Sequence, residues 1–429
     1  MHKNSQGLTL ILTIAIKYVI IFSYKSLLGV DYMADTKLTI IGMSGSGKTC
    51  YLLGMFYKMT GRLKGYNLHT DDDTHTELTH RYEVLNDESK RQGRFPKPTD
   101  MPEKFIFNLQ YGYQDILSFE WADYPGGYLK EKNDGDVEGY TDVKNSIINS
   151  STLFICIDGS LLYGDDTEEK IERVRDNCSN TINHFFSEYR QENGILPPTA
   201  FIITKYDECA KDTNLDELCE IVEEAFSGFF TEIIGAKNIT TIIPVTLGKN
   251  IKYEEYAGNL KPENIHLPIF MGIWFALRDY VKNLGNENNI INKQINDLMQ
   301  SLSSSFSQNK NEIERQTKEI ETIQSSIKAE QGKWFGGNKK HIRELLDKIT
   351  DLNNKITKLQ NEARGKDASA AAEQTRLTTA LQNNVFQLNV AIEKSSKLFD
   401  ELDKKLPVVY LNGEKTTFKL IAELLDEGE

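Results

Sequence analysis

Short apolar runs of strand length alternate with amphipathic stretches of helix length over the first two thirds of the chain. Helical spacing of apolar residues covers 48–60, 166–190, 214–234 and 268–283. Strands that alternate with helices usually pair in parallel and are covered on both faces. The pattern therefore predicts a three-layer α/β fold with a mostly parallel sheet, in which a turn at Gly112 creates one antiparallel pair. The predicted strands are 38–41, 105–109, 116–121, 153–157, 201–203 and 241–245.

The last third of the chain follows a different pattern, with apolar residues at alternating spacings of three and four. This spacing is that of a coiled-coil seam, and it predicts a coiled coil over 286–406. Gly336-Gly337 breaks the pattern, so 331–341 is the predicted tip of a long antiparallel hairpin with arms at 268–331 and 341–405. A parallel homodimer with a break at the glycines stays open, because heptads alone do not fix the direction. The clearest seam consists of Ile342, Leu345, Ile349, Leu352, Ile356, Leu359 and Ala363.

The two ends of the chain have patterns of their own. Near the C-terminus, two β-type runs flank the turn Asn412-Gly413, which predicts a small hairpin followed by a helix over 407–429. At the N-terminus, 1–32 is an apolar segment. A membrane anchor needs about 20 apolar residues, so this segment is either an anchor or a non-native extension before a true start at Met33. The first domain is accordingly predicted to cover 33–285.

Charge and cysteine content exclude several classes of protein. A formal net charge of −13 over 429 residues argues against nucleic-acid binding through a broad basic face. The five cysteines form no CxxC pair, so a zinc site and a disulfide framework are not indicated, and a reducing, cytoplasmic location is expected. Membrane association is expected if 1–32 is retained. The aromatic pair Trp334-Phe335, flanked by lysines at the predicted tip, also suits contact with a membrane or a partner protein.

The first motif that carries chemistry follows the first predicted strand. The sequence GMSGSGKT fits the pattern G-x-x-x-x-G-K-[ST] between a strand and a helix. Glycines let backbone N–H groups turn toward a β-phosphate, and the helix N-terminus adds partial positive charge. The lysine neutralises the phosphates and the threonine hydroxyl ligates Mg²⁺. The candidate phosphate-binding residues are Gly42, Ser44, Gly45, Ser46, Gly47, Lys48, Thr49 and Cys50.

A second motif ends the third predicted strand at Asp123. An aspartate in this place positions a carboxylate beside the metal of a nucleotide site. Gly126 completes a D-x-x-G pattern, whose backbone N–H can contact a γ-phosphate. Lys48, Thr49, Asp123 and Gly126 are therefore the candidate catalytic residues, and Thr49 and Asp123 are candidate metal ligands.

A third motif, Thr204-Lys205-Tyr206-Asp207, follows the fifth predicted strand and matches [N/T]-K-x-D. An aspartate carboxylate accepts hydrogen bonds from N1–H and the 2-amino group of guanine. Adenine offers neither donor there and would leave the carboxylate unpaired, which is costly. Thr204, Lys205 and Asp207 are therefore candidates for nucleotide binding, and Thr246, at the end of the last predicted strand, joins them.

The order and spacing of these motifs resemble the Ras-like TRAFAC superfamily of P-loop GTPases. Three stretches are similar to bacterial YcjX-like and double-GTPase-type proteins: GMSGSGKTCYLLGMF, the Asp-Tyr-Pro-Gly box, and PENIHLP at 262–268. The resemblance covers about 35–285 and implies a six-stranded sheet, binding of GTP with Mg²⁺, and nucleotide-dependent switching. It also implies a switch threonine that ligates Mg²⁺, for which Thr99 is the best match. Gly127 stands where Ras-like enzymes hold a water-orienting glutamine, so slow hydrolysis is implied. The competing switch threonines are Thr70, Thr74, Thr76 and Thr79.

The sequence thus predicts a GTP-binding switch protein that hydrolyses GTP to GDP and phosphate with Mg²⁺ and couples its nucleotide state to a coiled-coil arm. A nucleotide-regulated scaffold with little or no hydrolysis is one alternative, and a P-loop ATPase or kinase is another. Besides GTP, the expected partner is a protein or a second copy of the chain, bound through the coiled coil.

Overall fold

The computed structural model divides the chain into two compact units. A sheet unit comprises Ala34–Leu277 and Lys394–Ile421, and a helical unit contains Arg278–Glu393. The described residues are 36–98, 101–129, 137–232, 237–249, 251, 258, 260–303, 310–331, 339–363 and 368–427. Three sequence-based predictions lie outside these residues, and they concern the apolar segment 1–32, the hairpin tip with Trp334-Phe335, and Thr99.

One mixed sheet forms the centre of the sheet unit. Its strands are β1 (Lys37–Gly42), β2 (Tyr66–His69), β3 (Glu103–Tyr111), β4 (Gln114–Asp123), β5 (Ser150–Asp158), β6 (Thr199–Thr204), β7 (Ile239–Pro244), β8 (Val408–Leu411) and β9 (Glu414–Thr416). Their spatial order is β2-β3-β4-β1-β5-β6-β7-β8-β9. The pairs from β4 to β7 in this order are parallel, and the pairs at both edges are antiparallel.

The expected six-stranded sheet is wrong, because the described residues form a sheet of nine strands. All six predicted strands are present, and β3 and β4 form the expected antiparallel pair. β2 is a four-residue edge strand without an apolar run, which explains why its sequence gave no signal. β8 and β9 are the predicted C-terminal hairpin, and it pairs with β7 at the edge of the sheet. Thr241 Oγ1 on β7 donates to the carbonyl of Val408 on β8 at 2.5 Å, which adds to the backbone ladder between the two strands.

The central strands are buried because helices cover both faces of the sheet. The residues of β5 from Leu153 to Ile157 are fully buried, as are those of β6 from Ala200 to Ile203. Parallel strands covered on both faces have continuous apolar runs of this kind. Burial of one such side chain contributes about 1.5–3 kcal/mol, so this core holds the strand ends, and any side chains on them, in fixed positions.

Helices flank the strands and form the whole of the described helical unit. The predicted helix at 166–190 is two helices joined by the π-helical turn Arg175–Ser179, and the one predicted at 214–234 ends at Ala225. None of the described helices combines the length and apolar character that a membrane crossing requires. The α-helices are α1 (Lys48–Thr60), α2 (Asp72–Asn86), α3 (Val137–Ile148), α4 (Thr167–Val174), α5 (Asn180–Asn193), α6 (Tyr206–Cys209), α7 (Leu215–Ala225), α8 (Leu267–Ser303), α9 (Lys310–Gln331), α10 (Lys339–Ala363), α11 (Ala368–Lys405) and α12 (Phe418–Glu427).

The helical unit is built from α9 packed on α10 and from α8 packed on α11. The heptad positions Ile342, Ile349, Leu352 and Ile356 are buried, as the seam predicts. They form one apolar cluster with residues of α9. Ile295 of α8 packs with Leu377 and Leu381 of α11 in a second cluster.

The ascending arm of the predicted hairpin does not continue as one straight helix. Asn296 Nδ2 on α8 donates to Glu321 Oε1 on α9 at 3.0 Å, although 25 residues separate the two. A straight helix would place residues that far apart in sequence roughly 37 Å from each other. Val385 of α11 also joins the cluster of α9 and α10. The arm therefore doubles back, and a long continuous coiled coil stays a prediction.

A buried ion pair joins α4 to α7 in the sheet unit. The Lys170 side chain is fully buried, and its ammonium donates to Glu217 Oε1 at 2.7 Å and to the carbonyl of Asp212 at 2.8 Å. The Thr167 hydroxyl donates to the same carboxylate oxygen at 2.9 Å. The hydrogen bond from Lys170 is the main reason why the pKa of Glu217 is lowered.

We expect Glu217→Ala to lower the free energy of unfolding by roughly 3 kcal/mol, because it leaves a buried ammonium without its counter-charge. Glu224→Ala is the matched control, since Glu224 pairs with Arg175 between the same two regions but is exposed. Its expected cost is below about 1 kcal/mol. Urea unfolding, followed by the fluorescence of buried Trp121 and Trp274, measures both. Equal losses in the two variants would contradict the assignment.

Candidate functional site

The loop 42–49 leads from β1 into α1 with three glycines at positive φ. The φ angles of Gly42, Gly45 and Gly47 are 152°, 82° and 90°, a region that residues with a Cβ rarely adopt. At Gly42, a Cβ would also lie 2.7 Å from the carbonyl oxygen of Cys156 on β5. Glycine is therefore the residue that adopts this loop path at least cost at these positions.

The Lys48 side chain folds back over this loop. Its ammonium donates to the carbonyl of Gly42 at 2.8 Å and lies 3.4 Å from the carbonyl oxygen of Met43. The residue is buried. Because hydrogen bonds between two charged groups are stronger than those to a neutral carbonyl, the ammonium can exchange these carbonyls for an entering anion.

Asp123 ends β4 and is fully buried next to the start of α1. Its Oδ2 lies 3.5 Å from Thr49 Oγ1, and its Oδ1 has no hydrogen-bond partner among the described residues. Burial raises the pKa of Asp123 to about 6, while the Lys48 ammonium opposes the rise and Glu103 adds to it. A buried carboxylate oxygen without a partner is a suitable acceptor for a cation or an ordered water.

Gly126 lies directly against the loop 42–49. A Cβ at this position would lie 2.5 Å from the backbone nitrogen of Ser44 and 2.7 Å from the carbonyl carbon of Met43. The glycine is therefore required by close approach of two backbones. It also begins the short 3-10 turn Gly126–Leu129, which follows the strand that carries Asp123.

The end of β6 holds the loop through two side chains. Thr204 Oγ1 lies 2.6 Å from the carbonyl oxygen of Ser46 and also bonds to the backbone of β5. Lys205 Nζ donates to the carbonyl of Gly45 at 3.0 Å and to Asp158 Oδ2 at 2.5 Å. Both residues were predicted as nucleotide ligands, and in this structure both brace the loop.

Asp207 and Thr246 meet beyond the ends of β6 and β7. Thr246 Oγ1 donates to Asp207 Oδ1 at 2.5 Å and accepts from the N–H of Gly248 at 2.9 Å. The N–H of Tyr206 donates to the carbonyl of Val245 at 3.2 Å and keeps the two segments side by side. Sequence reasoning named both residues but did not predict that one orients the other.

These elements surround a cavity of about 670 Å³, a volume typical of sites for small ligands. Gly42, Ser46 and Asp123 are not among its lining residues, and Thr99 is outside the described part of the chain. The segment 95–98 lines another side. The predicted residues that do line the cavity are Ser44, Gly45, Gly47, Lys48, Thr49, Cys50, Gly126, Thr204, Lys205, Asp207 and Thr246.

Sequence reasoning missed several contributors to this site, of which Asp158, Leu247 and Ile265 are examples. Asp158 pairs with Lys205, and its position at the end of an apolar strand was an available signal. Leu247 and Ile265 line the cavity, but an isolated apolar residue cannot be distinguished from a core residue in the sequence. The site is thus larger than the three motifs that indicated it.

We expect Asp123→Asn to raise the free energy of unfolding of the ligand-free protein by roughly 2–3 kcal/mol at pH 7.5. The folded-state pKa is raised, so stability from this group is fully present below about pH 4 and is lost as pH rises through about 6. The neutral amide avoids that loss. The gain in the free energy of unfolding that Asp123→Asn gives should therefore be about half as large at pH 5. Urea unfolding at both pH values measures it.

Asp115→Asn is the control for this variant, because Asp115 lies on the same strand but is exposed. Its expected effect is within about 0.5 kcal/mol at either pH. A gain for Asp123→Asn that did not depend on pH would contradict the explanation by a buried charge.

Comparisons with known proteins add little to this geometry. No family model matches the chain, and no curated protein matches it. Among solved structures, the GTPase-like domain of S. cerevisiae Ski7, bound to GTP, is similar at 14% identity with a TM-score of 0.27. The match covers 53% of this chain and 46% of that one, so the chain spans less than half of it. A TM-score this low carries no conclusion about fold or activity.

Proposed function

We propose that the chain is a GTP-binding switch protein that hydrolyses GTP to GDP and phosphate. One observation carries the proposal: three motifs far apart in the sequence meet at one cavity. They are the loop 42–49, the Asp123–Gly126 motif through its Gly126, and the pair of Asp207 with Thr246, while Asp123 contacts the cavity-lining Thr49. Each suits one part of a nucleotide, namely the phosphates, the metal with the γ-phosphate, and the base.

The loop 42–49 would bind the phosphates. Backbone N–H groups at the start of α1 point to an anion and carry the partial positive charge of the helix. Lys48 would leave the Gly42 carbonyl and pair with phosphate oxygens, which stabilises the charge that develops during hydrolysis. Gly126 packs against the loop, and its N–H would contact the last phosphate.

Thr49 and Asp123 fit a Mg²⁺ ion. Asp123 offers a buried oxygen without a partner, and the Thr49 hydroxyl lies beside the same carboxylate. No group of three or more His, Cys, Asp or Glu side chains able to hold a metal occurs among the described residues. Phosphate oxygens, water and the predicted ligand Thr99 would therefore complete the shell, as Mg²⁺ often requires. When bound, the ion neutralises charge on the phosphates.

Asp207 would recognise guanine. Its carboxylate, fixed by Thr246, can accept hydrogen bonds from N1–H and the 2-amino group, while the stem of Lys205 packs beside the base. Thr204 acts through the loop that it braces. An ATPase or kinase, the alternative left by the sequence, would leave this carboxylate unpaired.

We expect Asp207→Asn to weaken GDP binding at least about tenfold and to improve binding of xanthosine diphosphate, because the amide can donate to the 2-carbonyl of xanthine. Equilibrium titration with both nucleotides measures the change. Asp216→Asn, an exposed aspartate on α7, should change neither affinity. ATP binding that exceeds GTP binding and is unaffected by Asp207→Asn would contradict guanine recognition.

Hydrolysis without a partner is expected to be slow. Gly127 brings no side chain to orient water, and a Cβ there would meet nothing within 4 Å. This observation favours a second candidate, a nucleotide-regulated scaffold that hardly turns GTP over. For both candidate functions we propose a cytoplasmic protein whose nucleotide state acts on the helices that follow α8. A protein partner or a second copy of the chain would bind through these helices.

The test is the nucleotide that co-purifies with the wild-type protein. We expect guanine nucleotide, lost in Lys48→Ala and retained in Lys58→Ala, an exposed lysine on the same helix. Single-turnover phosphate release from bound GTP then separates the candidates. Slow release supports the enzyme, and none over hours despite tight binding supports the scaffold. An adenine nucleotide lost in Lys48→Ala would refute both.

A further inference from the structure

A short segment outside the three nucleotide-binding motifs holds the outer side of the loop 245–248. We call it the strap and define it as 260–266. The N–H of Lys261 donates to the carbonyl of Leu247 at 2.8 Å, and the N–H of Glu263 donates to that of Thr246 at 2.9 Å. Thr246 and Glu263 thus form an isolated antiparallel bridge. Thr246 is thus held through its side chain by Asp207 and through its backbone by the strap.

The strap is itself fixed at several points. Asn264 Nδ2 donates to the carbonyl of Pro244 at 3.2 Å, and the N–H of Leu260 donates to Asn86 Oδ1 at 3.0 Å. Ile265 is buried and lines the cavity. A shift of the strap would therefore move both the loop 245–248 and one wall of the cavity.

His266 ends the strap and contacts Glu401, which lies 135 residues later near the end of α11. The His266 Nε2 to Glu401 Oε1 distance is 3.3 Å, and both side chains are almost buried. Burial lowers the pKa of His266. Because an ionised carboxylate can only accept, Nε2–H is the donor of this bond. Lys405 Nζ binds Glu401 Oε1 at 2.9 Å, and Lys64 binds Oε2.

The Glu401 carboxylate stays ionised under all ordinary conditions. Burial raises its pKa, but hydrogen bonds from Lys64, Lys405 and His266 outweigh burial and lower the pKa to about 2. A charged carboxylate with three donors is a rigid point in the structure. The same end of α11 also leads into β8, which pairs with β7 just before the loop 245–248. The helix end is therefore connected to this loop twice within the sheet unit.

We infer that Glu401 is a positioning residue for base recognition: it fixes His266 and the strap, and the strap fixes Thr246 and, through it, Asp207. The inference rests on the proposed function. It adds that the base side of the site, common to GDP and GTP, depends on the end of the helix that returns from the helical unit. GDP and GTP binding should therefore depend on this contact equally.

The test compares Glu401→Gln with Asp400→Asn in equilibrium binding of GDP, a non-hydrolysable GTP analogue and IDP. Glu401→Gln should weaken GDP and the analogue by the same factor, about tenfold, a usual size for coupled sites. The preference for GDP over IDP should fall as well, because IDP lacks the 2-amino group from which Asp207 would accept a hydrogen bond. Asp400 is exposed and adjacent to Glu401. Asp400→Asn therefore removes the same charge and should leave nucleotide binding unchanged.

A purely stabilising role of Glu401 would lower the melting temperature but leave the GDP-to-IDP preference of the folded protein unchanged, and that result would overturn the inference. Should Glu401→Gln not fold, His266 provides the second pair. His266→Gln, whose amide can replace Nε2–H, should keep the wild-type preference, and His266→Ala should lose it. Equal preference in these two variants would also overturn the inference.

Amide exchange in nucleotide-free protein separates this inference from the proposed function. The N–H groups of Lys261 and Glu263 donate to the loop 245–248. They should exchange faster in Glu401→Gln than in Asp400→Asn, because a strap that Glu401 no longer fixes separates from the loop more often. Unchanged exchange would refute the strap even if GTP binds. Faster exchange in a protein without guanine preference would refute the proposed function and leave the coupling intact.

Discussion

The Thr204 hydroxyl is the contact on which the rest of the site depends. It lies at the end of β6, 2.6 Å from the carbonyl oxygen of Ser46 and 3.1 Å from that of Ile157 on β5. One buried side chain thus joins two strands of the sheet to the loop 42–49. A Cβ on Gly47 would lie 3.1 Å from the same oxygen, so this close approach favours glycine, as does its positive φ. The loop has its shape because the sheet holds it.

The site concentrates groups that do not favour folding. Asp123 is a carboxylate in a buried place, Lys48 is a buried ammonium held by carbonyls, and three loop glycines adopt conformations that cost entropy. The neighbouring apolar strands are fully buried and offset these costs. Local rules that favour stability fail together here, which is typical of functional sites in natural proteins. The cavity lies next to these unfavourable groups.

The sequence predicted the parts of the fold that depend on local pattern. Apolar runs identified the strands from β1 to β7 except β2, and the glycine pattern identified the loop 42–49. It could not predict that β8 joins β7, because strand pairing between residues this distant is not encoded in either strand. The sequence also did not predict that the helical arm doubles back, because a heptad seam is equally compatible with a straight arm. Motif residues were found, but Asp158, which has no motif, was not.

The chain order has a consequence for how the sheet unit is completed. β7 leads into the loop 245–248, and its outer neighbour β8 follows only after the helices from α8 to α11. Asn238 and Asn412 exchange hydrogen bonds of 2.8 Å across this junction, and a Cβ on Gly413 would lie 1.7 Å from the carbonyl oxygen of Phe230. The turn at Gly413 is therefore packed closely against the backbone of Phe230. An unpaired edge strand is a site of wrong association, so β7 is protected only once the returning chain has docked. The loop 245–248 therefore has its complete environment only when β8 is paired with β7 and the strap is hydrogen-bonded to the loop.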